Sequence, residues 1–184
     1  MKIILGQGNP GADYAGSRHN IGFAMLDAYA QKHGLSFQPK TKFKADIAEF
    51  QAVEEKVLLV KPTTLYNETG QSARALLDFY KVAPEDLLIV HDELALPFGV
   101  IRTRLGGSDA GNNGVKSINR QIGSNTARIR IGIWNEKRDA TDDASFVLSR
   151  FSPEEVGRLA DIATTTSRLI DQFVNNAFAA TTHR

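Results

Sequence analysis

Along this chain short apolar runs alternate with stretches whose apolar residues take helical spacing. Strand-like runs lie at 3–5, 45–50, 57–61, 87–91, 100–105 and 129–133. Ser17 can N-cap a helix that carries Ile21, Ala24, Met25 and Ala28 on one face. A second helical pattern holds Ala73, Leu76, Leu77 and Tyr80, and a third covers about 113–122. The last opens at Ser152-Pro153-Glu154-Glu155, where Ser152 caps, Pro153 takes the first helical position and Glu155 completes a capping box. Its apolar face runs through Val156, Leu159, Ala163, Leu169, Ile170, Phe173 and Val174. The alternation predicts one α/β domain over 1–184, with a twisted, mixed, mostly parallel sheet and helices on both faces. The sheet is expected to be mixed because the adjacent runs at 45–50 and 57–61 can form a hairpin. Sites in such folds gather beyond the carboxyl ends of the strands.

Composition narrows the classes. The chain has 184 residues, 42% hydrophobic and 23% charged, as in an ordinary globular domain. It has no cysteine, which excludes disulfides, a thiolate nucleophile and thiolate-bound metal clusters. Met1 and Lys2 precede only Ile3, Ile4 and Leu5 before Gly6, too little for a signal-peptide core. No apolar run approaches the roughly 18 residues of a membrane span. A cytoplasmic location is the expectation. The formal charge is +1, so any nucleic-acid site has to come from local arrangement.

The first run ends in "ILGQGNPGADYAGSRHNIGF", residues 4–23. Gly6, Gly8 and Gly11 have the spacing of a dinucleotide-binding loop. That motif needs a helix to open within the loop and meet a pyrophosphate. Here the helix signal starts only at Ser17, and around 29–34, where a ribose-binding acid is required at the end of a second strand, the chain still reads as helix. Asn9-Pro10-Gly11 instead reads as a sharp turn, with proline presetting φ and glycine tolerating positive φ. The turn either presents the Asn9 side chain or leaves it to satisfy its own backbone.

His19 falls in the first turn after Ser17, where the helix dipole keeps an imidazole neutral, as a base must be. A histidine at a helix end is also common without function. Asp92 ends the run at 87–91 and projects opposite to His91 and Glu93, so these three do not form a metal site, and Asp92 serves better to orient His19. Asn67, in "KPTTLYNETG", and Asn113, in "GGSDAGNNGVKSI", are candidate helix caps or site residues. Gly106-Gly107-Ser108-Asp109-Ala110 lacks the last glycine of a serine nucleophile elbow.

These segments resemble the bacterial-type peptidyl-tRNA hydrolase family. "GQGNPGADYAGSRHNIG" is similar to its G-x-G-N-P-G-x-x-Y-x-x-(S/T)-R-H-N-x-G. "KPTTLYNETG" resembles K-P-x-T-(Y/F)-M-N-x-S-G, and "VHDELALPFG" resembles V-x-D-(E/D)-L-D-L-P-x-G. "GGSDAGNNGVKSI" resembles G-x-x-G-H-N-G-(L/I)-K-S-I, and "RIRIGI" and "FVLSRFSPEE" continue the match in family order over nearly the whole chain. The resemblance implies a monomeric α/β hydrolase acting on tRNA still esterified to a peptide, with no metal or cofactor. It implies that His19 accepts a proton from water, that Asp92 stabilises its basic form, and that Asn9 tells a blocked amino group from a free one. Tyr14, Leu65, Asn67 and Asn113 would line the tRNA end and peptide. Arg104 and Arg130 match basic residues that clamp the tRNA terminal phosphate. There are departures. Leu65-Tyr66 replaces an aromatic residue followed by methionine, which shifts the expected stacking surface to Tyr66. Asn112 replaces the histidine of G-H-N-G, and Asp109-Ala110 places an acid in the loop gating the cleft.

The chemistry implied is ester hydrolysis by water. Neutral His19 would deprotonate the water, and an amide N–H from Asn67 or Asn113 would stabilise the oxyanion. Arg102 with Arg104, Lys116 with Arg120, and Arg128 with Arg130 each share a face, as a phosphate track requires and as solvated surface charge also allows. The alternative from another class is an RNA-binding factor without hydrolase activity, since a chloroplast intron-splicing factor resembles the same family. Intact His19, Asp92 and Asn113 favour the enzyme. A small-molecule esterase would leave the basic residues without a purpose.

Overall fold

The computed structural model describes residues 1–52 and 55–184. Its strands are β1 (Lys2–Gly6), β2 (Gln38–Lys40), β3 (Ala45–Gln51), β4 (Lys56–Pro62), β5 (Leu87–Pro97), β6 (Ile101–Leu105), β7 (Ala127–Trp134) and β8 (Thr182–His183). They form one sheet in the order β2-β3-β4-β1-β5-β7-β6-β8. The centre, β4-β1-β5-β7, is parallel, while β3 on β4 and β6 on β7 are antiparallel. The hairpin expected from the runs at 45–50 and 57–61 is therefore present.

The parallel strands are buried on both faces, which is why Ile3, Ile4 and Leu5 read as an unbroken apolar run. Ile4, Leu59, Leu88, Val90 and Ile129 pack beneath α1 (Ile21–Lys32) and the long last helix, α5 (Pro153–Val174). Ile3, Leu5, Leu58 and Ile89 face α2 (Gly70–Tyr80) and α3 (Asn113–Ile122) on the other side. A short helix, α4 (Asp143–Leu148), precedes α5 (Pro153–Val174). The capping box is formed as expected: the Glu155 N–H donates to Ser152 Oγ at 3.2 Å, and the Ser152 N–H donates to Glu155 Oε2 at 2.8 Å. Val156, expected on the apolar face of α5, is 53% exposed.

Three local expectations change. Ser17 makes no side-chain cap, and α1 starts later, at Ile21. Residues Arg18–Asn20 form a 3-10 turn instead, because the Arg18 N–H is drawn across to the Ser149 carbonyl at 2.9 Å. Ala24, expected on the core face of this helix, is exposed, and Leu26, Tyr29 and Ala30 are buried with Ile21 and Met25. Asp92 does not end its strand either. β5 leaves β1 after Val90 but continues on β7, where Asp92 pairs with Ile131. Asp92 therefore stands just beyond the carboxyl end of β1.

Candidate active site

The turns that follow β1 and β4, the upper part of β5, and the start of α3 meet at the carboxyl ends of the parallel strands. They line a cleft of about 650 Å³ together with α4. This is where an open α/β sheet places its ligands. Asn9, Tyr14, His19, Leu65, Asn67, Asp92 and Asn113 all border it, so the sequence-derived candidates for the reacting centre come together.

Each member of the triplet Arg18-His19-Asn20 has its own partner. Arg18 is 2% exposed and forks onto Glu155, Nη1 to Oε1 at 3.0 Å and Nη2 to Oε2 at 2.6 Å. Its guanidinium lies between the Phe146 and Phe151 rings. Asn20 clamps the backbone of Asn9 both ways, accepting from its N–H and donating to its carbonyl, each at 2.9 Å. Gly11 takes the positive φ expected of the turn, at 103°. With its neighbours pinned on either side, His19 is presented to the cleft. Gly22, in the first turn of α1, lets the helix approach the sheet, since a Cβ there would lie 2.4 Å from the Val90 carbonyl oxygen.

His19 Nδ1 is 3.0 Å from Asp92 Oδ2. A carboxylate can only accept here, so Nδ1 carries a proton, and in the neutral ring the lone pair is then on Nε2. Asp92 is 2% exposed, and its other oxygen accepts from the Tyr66 hydroxyl at 2.5 Å. Tyr66 is itself buried at 2% exposure. Its ring stacks on the His19 imidazole, centroids 3.5 Å apart and planes 12° from parallel. The surface expected to stack on substrate is thus turned inward onto His19. Leu65, 54% exposed, is the side chain left on the cleft rim.

Asn112, read from the sequence only as a departure from the family's histidine, has a definite place. It, and not Asn113, caps α3: its Oδ1 accepts from the Val115 N–H at 3.0 Å. Its Nδ2 then donates to the Tyr66 hydroxyl oxygen at 2.8 Å. Asn113, one residue inside the helix, is exposed on the cleft wall. Two adjacent asparagines before a helix gave no sequence signal to separate these roles.

Asn9 is oriented by a donor that cannot reverse. The Tyr66 backbone N–H donates to Asn9 Oδ1 at 2.8 Å, so the Asn9 amide turns its NH₂ group away from that bond as a donor. His91 and Glu93 lie on the other face of β5 from Asp92, as alternation required. The His91 Nδ1–H donates to the Asp92 carbonyl at 2.7 Å, and burial pushes its pKa down, so the ring stays neutral. Among the described residues no three His, Asp or Glu side chains converge to hold a metal.

The arginines lie away from this centre, on the α3 side of β6 and β7. Cross-strand register sets Arg102 opposite Arg130 and Arg104 opposite Arg128. They are not equivalent. Arg128 is buried and donates to the Gly107 and Ser108 carbonyls and to Asn119 Oδ1. Its pKa is lowered by burial and by the Arg104 and Arg130 charges. Arg130, 9% exposed, is bound to Glu93 Oε2 at 2.8 and 2.9 Å. Arg102, Arg104, Lys116 and Arg120 are exposed.

Known proteins share this sequence and fold. The family described as peptidyl-tRNA hydrolase matches residues 3–184. A peptidyl-tRNA hydrolase of Gloeobacter violaceus is 42% identical over 163 residues, covering 88% of this chain and 82% of its own. One from Lactiplantibacillus plantarum is 39% identical over 177 residues, covering 96% and 94%. The crystal structure of peptidyl-tRNA hydrolase from Acinetobacter baumannii superposes with a TM-score of 0.87 at 34% identity, over 96% of this chain and 89% of that one.

Proposed function

This chain belongs to the peptidyl-tRNA hydrolase family and hydrolyses the ester of peptidyl-tRNA, and from that premise we propose that His19 is the base which activates the attacking water, with Asp92 orienting it. The 3.0 Å contact from His19 Nδ1 to Asp92 carries this reading. It fixes the tautomer, so Nε2 can take a proton from water as the oxygen attacks the ester carbonyl. Asp92 then stabilises the imidazolium, and the proton passes to the departing ribose oxygen. The tetrahedral oxyanion needs a donor aimed at it. Asn9 Nδ2 joins Asn67 and Asn113 as a source, since the Asn9 oxygen is already engaged by Tyr66.

Substrate selection follows the same geometry. The Asn9 NH₂ group donates to a peptide carbonyl beside the blocked α-nitrogen, while a free α-ammonium would have to shed bound water to enter. Leu65 and Leu148, 54% and 47% exposed on the cleft rim, offer apolar contact to the peptide, with Tyr14, Asn67 and Asn113 on the same walls. Arg104, beside Arg102, is the group available to a tRNA phosphate. Arg130 contributes through its position behind Glu93 and is less free to bind one. The whole chain acts as a single domain and as a monomer. Incubation with N-blocked aminoacyl-tRNA and measurement of ester cleavage tests the activity. A chain that binds tRNA but releases no peptide would be an RNA-binding factor instead.

A further inference from the structure

We propose that Tyr66 is a positioning residue for the hydrolysis, setting both the plane of the His19 ring and the strength with which Asp92 holds it. The role deepens the reading of His19 as the base and rests on it. A directed chain of hydrogen bonds underlies the proposal. Asn112 Oδ1 is committed to the Val115 N–H, so its Nδ2 must donate to Tyr66. With its oxygen accepting from Asn112, the Tyr66 hydroxyl gives its own proton to Asp92 Oδ1. Asp92 Oδ2 accepts from His19 Nδ1. Each link thus has one direction.

Tyr66 borders the cleft but is 2% exposed with one face covered by His19, so it offers substrate almost no surface. Nor does it act as an acid. Burial, the Asp92 charge and the bond to Asp92 raise its pKa well above the usual value, so the hydroxyl remains a donor across the working range. The remaining action is on Asp92. A second donor on that carboxylate spreads its charge and weakens its grip on the imidazolium that forms as water is deprotonated. The parallel stack meanwhile prevents the ring from tipping away from Asp92.

Other charges around the pair are already accounted for. Glu93, which also borders the cleft, is neutralised by Arg130. Arg18, next to His19 in sequence, is turned to Glu155. Across the cleft Arg138 is paired with Asp143, and neutral His91 lies behind Asp92. Tyr66 is therefore the group beside Asp92 whose removal changes its hold on His19. The positions that carry the device, Tyr66 and Asn112, are two at which this sequence departs from the family pattern M-N and G-H-N.

The test is the pH profile of kcat/KM on N-blocked aminoacyl-tRNA for wild type, Tyr66→Phe, Asn112→Ser and the double variant. Tyr66→Phe keeps the stacked ring and loses the hydroxyl. Its acidic limb is expected to move up by about half a unit to one unit, with KM nearly unchanged. Asn112→Ser keeps a cap acceptor for Val115 but loses the amide donor, and its limb moves the same way by less. The double variant moves no further than Tyr66→Phe alone, because Asn112 acts through the hydroxyl. Thermal melts and a ring-proton titration of His19 on the same proteins separate this from unfolding, since the titration needs only a folded chain. An unmoved limb and unmoved titration in Tyr66→Phe overturn the proposal, as does a change confined to KM. His19→Ala, run in parallel, distinguishes the two levels: full activity there removes the base itself, whereas its loss beside an unmoved Tyr66→Phe profile removes only the role of Tyr66.

Discussion

Arg18 and Glu155 are joined by a two-toothed bridge, at 3.0 and 2.6 Å, across 137 positions of sequence. The bridge ties the turn that carries His19 to the first turn of α5. The same guanidinium donates to Ser149 Oγ at 3.2 Å, just after α4, so it also anchors one wall of the cleft. Lysine has one charged point where this site needs a planar fork. Arg18→Lys keeps a charge opposite Glu155 but loses one of the two parallel bonds, and is therefore expected to lower stability by about 1.5–3 kcal/mol, the range for a hydrogen bond to a charged group. It should also lower kcat, because the His19 turn loses its anchor. Urea unfolding and steady-state kinetics check both, and a fully stable, fully active variant contradicts the account.

Glu155 makes this bridge sensitive to acid. Burial raises its pKa, but the bonds from Arg18, the Ser152 N–H and Asn135 outweigh that, and the net pKa lies below 4.5. A depressed carboxyl contributes stability above its unfolded value and loses it as pH falls through the folded one. Below pH 4.5, then, the wild type should lose melting temperature more steeply than Glu155→Gln. At neutral pH Glu155→Gln is the less stable of the two, and the gap closes as pH falls. Parallel slopes in a melting series from pH 7 down to about pH 3 would show that the bridge contributes nothing through ionisation.

Arg104 and Arg130 should separate in experiment. Arg104→Ala is expected to weaken tRNA binding and flatten its salt dependence by about one unit of slope, leaving stability unchanged. Arg130→Ala leaves Glu93, 5% exposed, as an uncompensated buried charge and so lowers stability first. Binding titrations over a salt series, beside thermal melts, read both. Equal salt slopes for Arg104→Ala and wild type would take the phosphate contact from Arg104.

Asn9→Ala removes the donor that reaches the cleft while leaving the turn closed by Asn20. The ratio of kcat/KM on N-blocked to free aminoacyl-tRNA is expected to shrink, chiefly by loss on the blocked substrate. An unchanged ratio with lower rates overall would assign Asn9 to holding the Tyr66 backbone alone.

The central strands, the hairpin and the capping box were legible because continuous apolar runs and cap residues are local signals. His19, Asp92 and the asparagines could be named as candidates from residue type and the family pattern, and the fold brings them to one cleft. Helix α4 was not legible, since six residues show too little periodicity. The exposed edge strands β2 and β8 bury no face to leave a pattern. Ser17 looked like a cap, but its segment bridges to Arg150, and that long-range pairing outweighs local preference. The inward turn of Tyr66 and the capture of Arg130 by Glu93 depend equally on contacts between distant elements. Residue type alone could name a tyrosine and an arginine as candidates, but not say which way each would face.

The most direct measurement is single-turnover cleavage of N-blocked aminoacyl-tRNA by His19→Ala at saturating enzyme. Binding is then complete, and only the chemical step is read. Cleavage should fall by about 10²- to 10⁴-fold, the range for a positioned general base. Affinity for the tRNA should stay close to wild type and the protein should stay folded, because Arg18 and Asn20 hold the turn without the imidazole. Wild-type cleavage by a folded His19→Ala protein would contradict the assignment of His19 as the base.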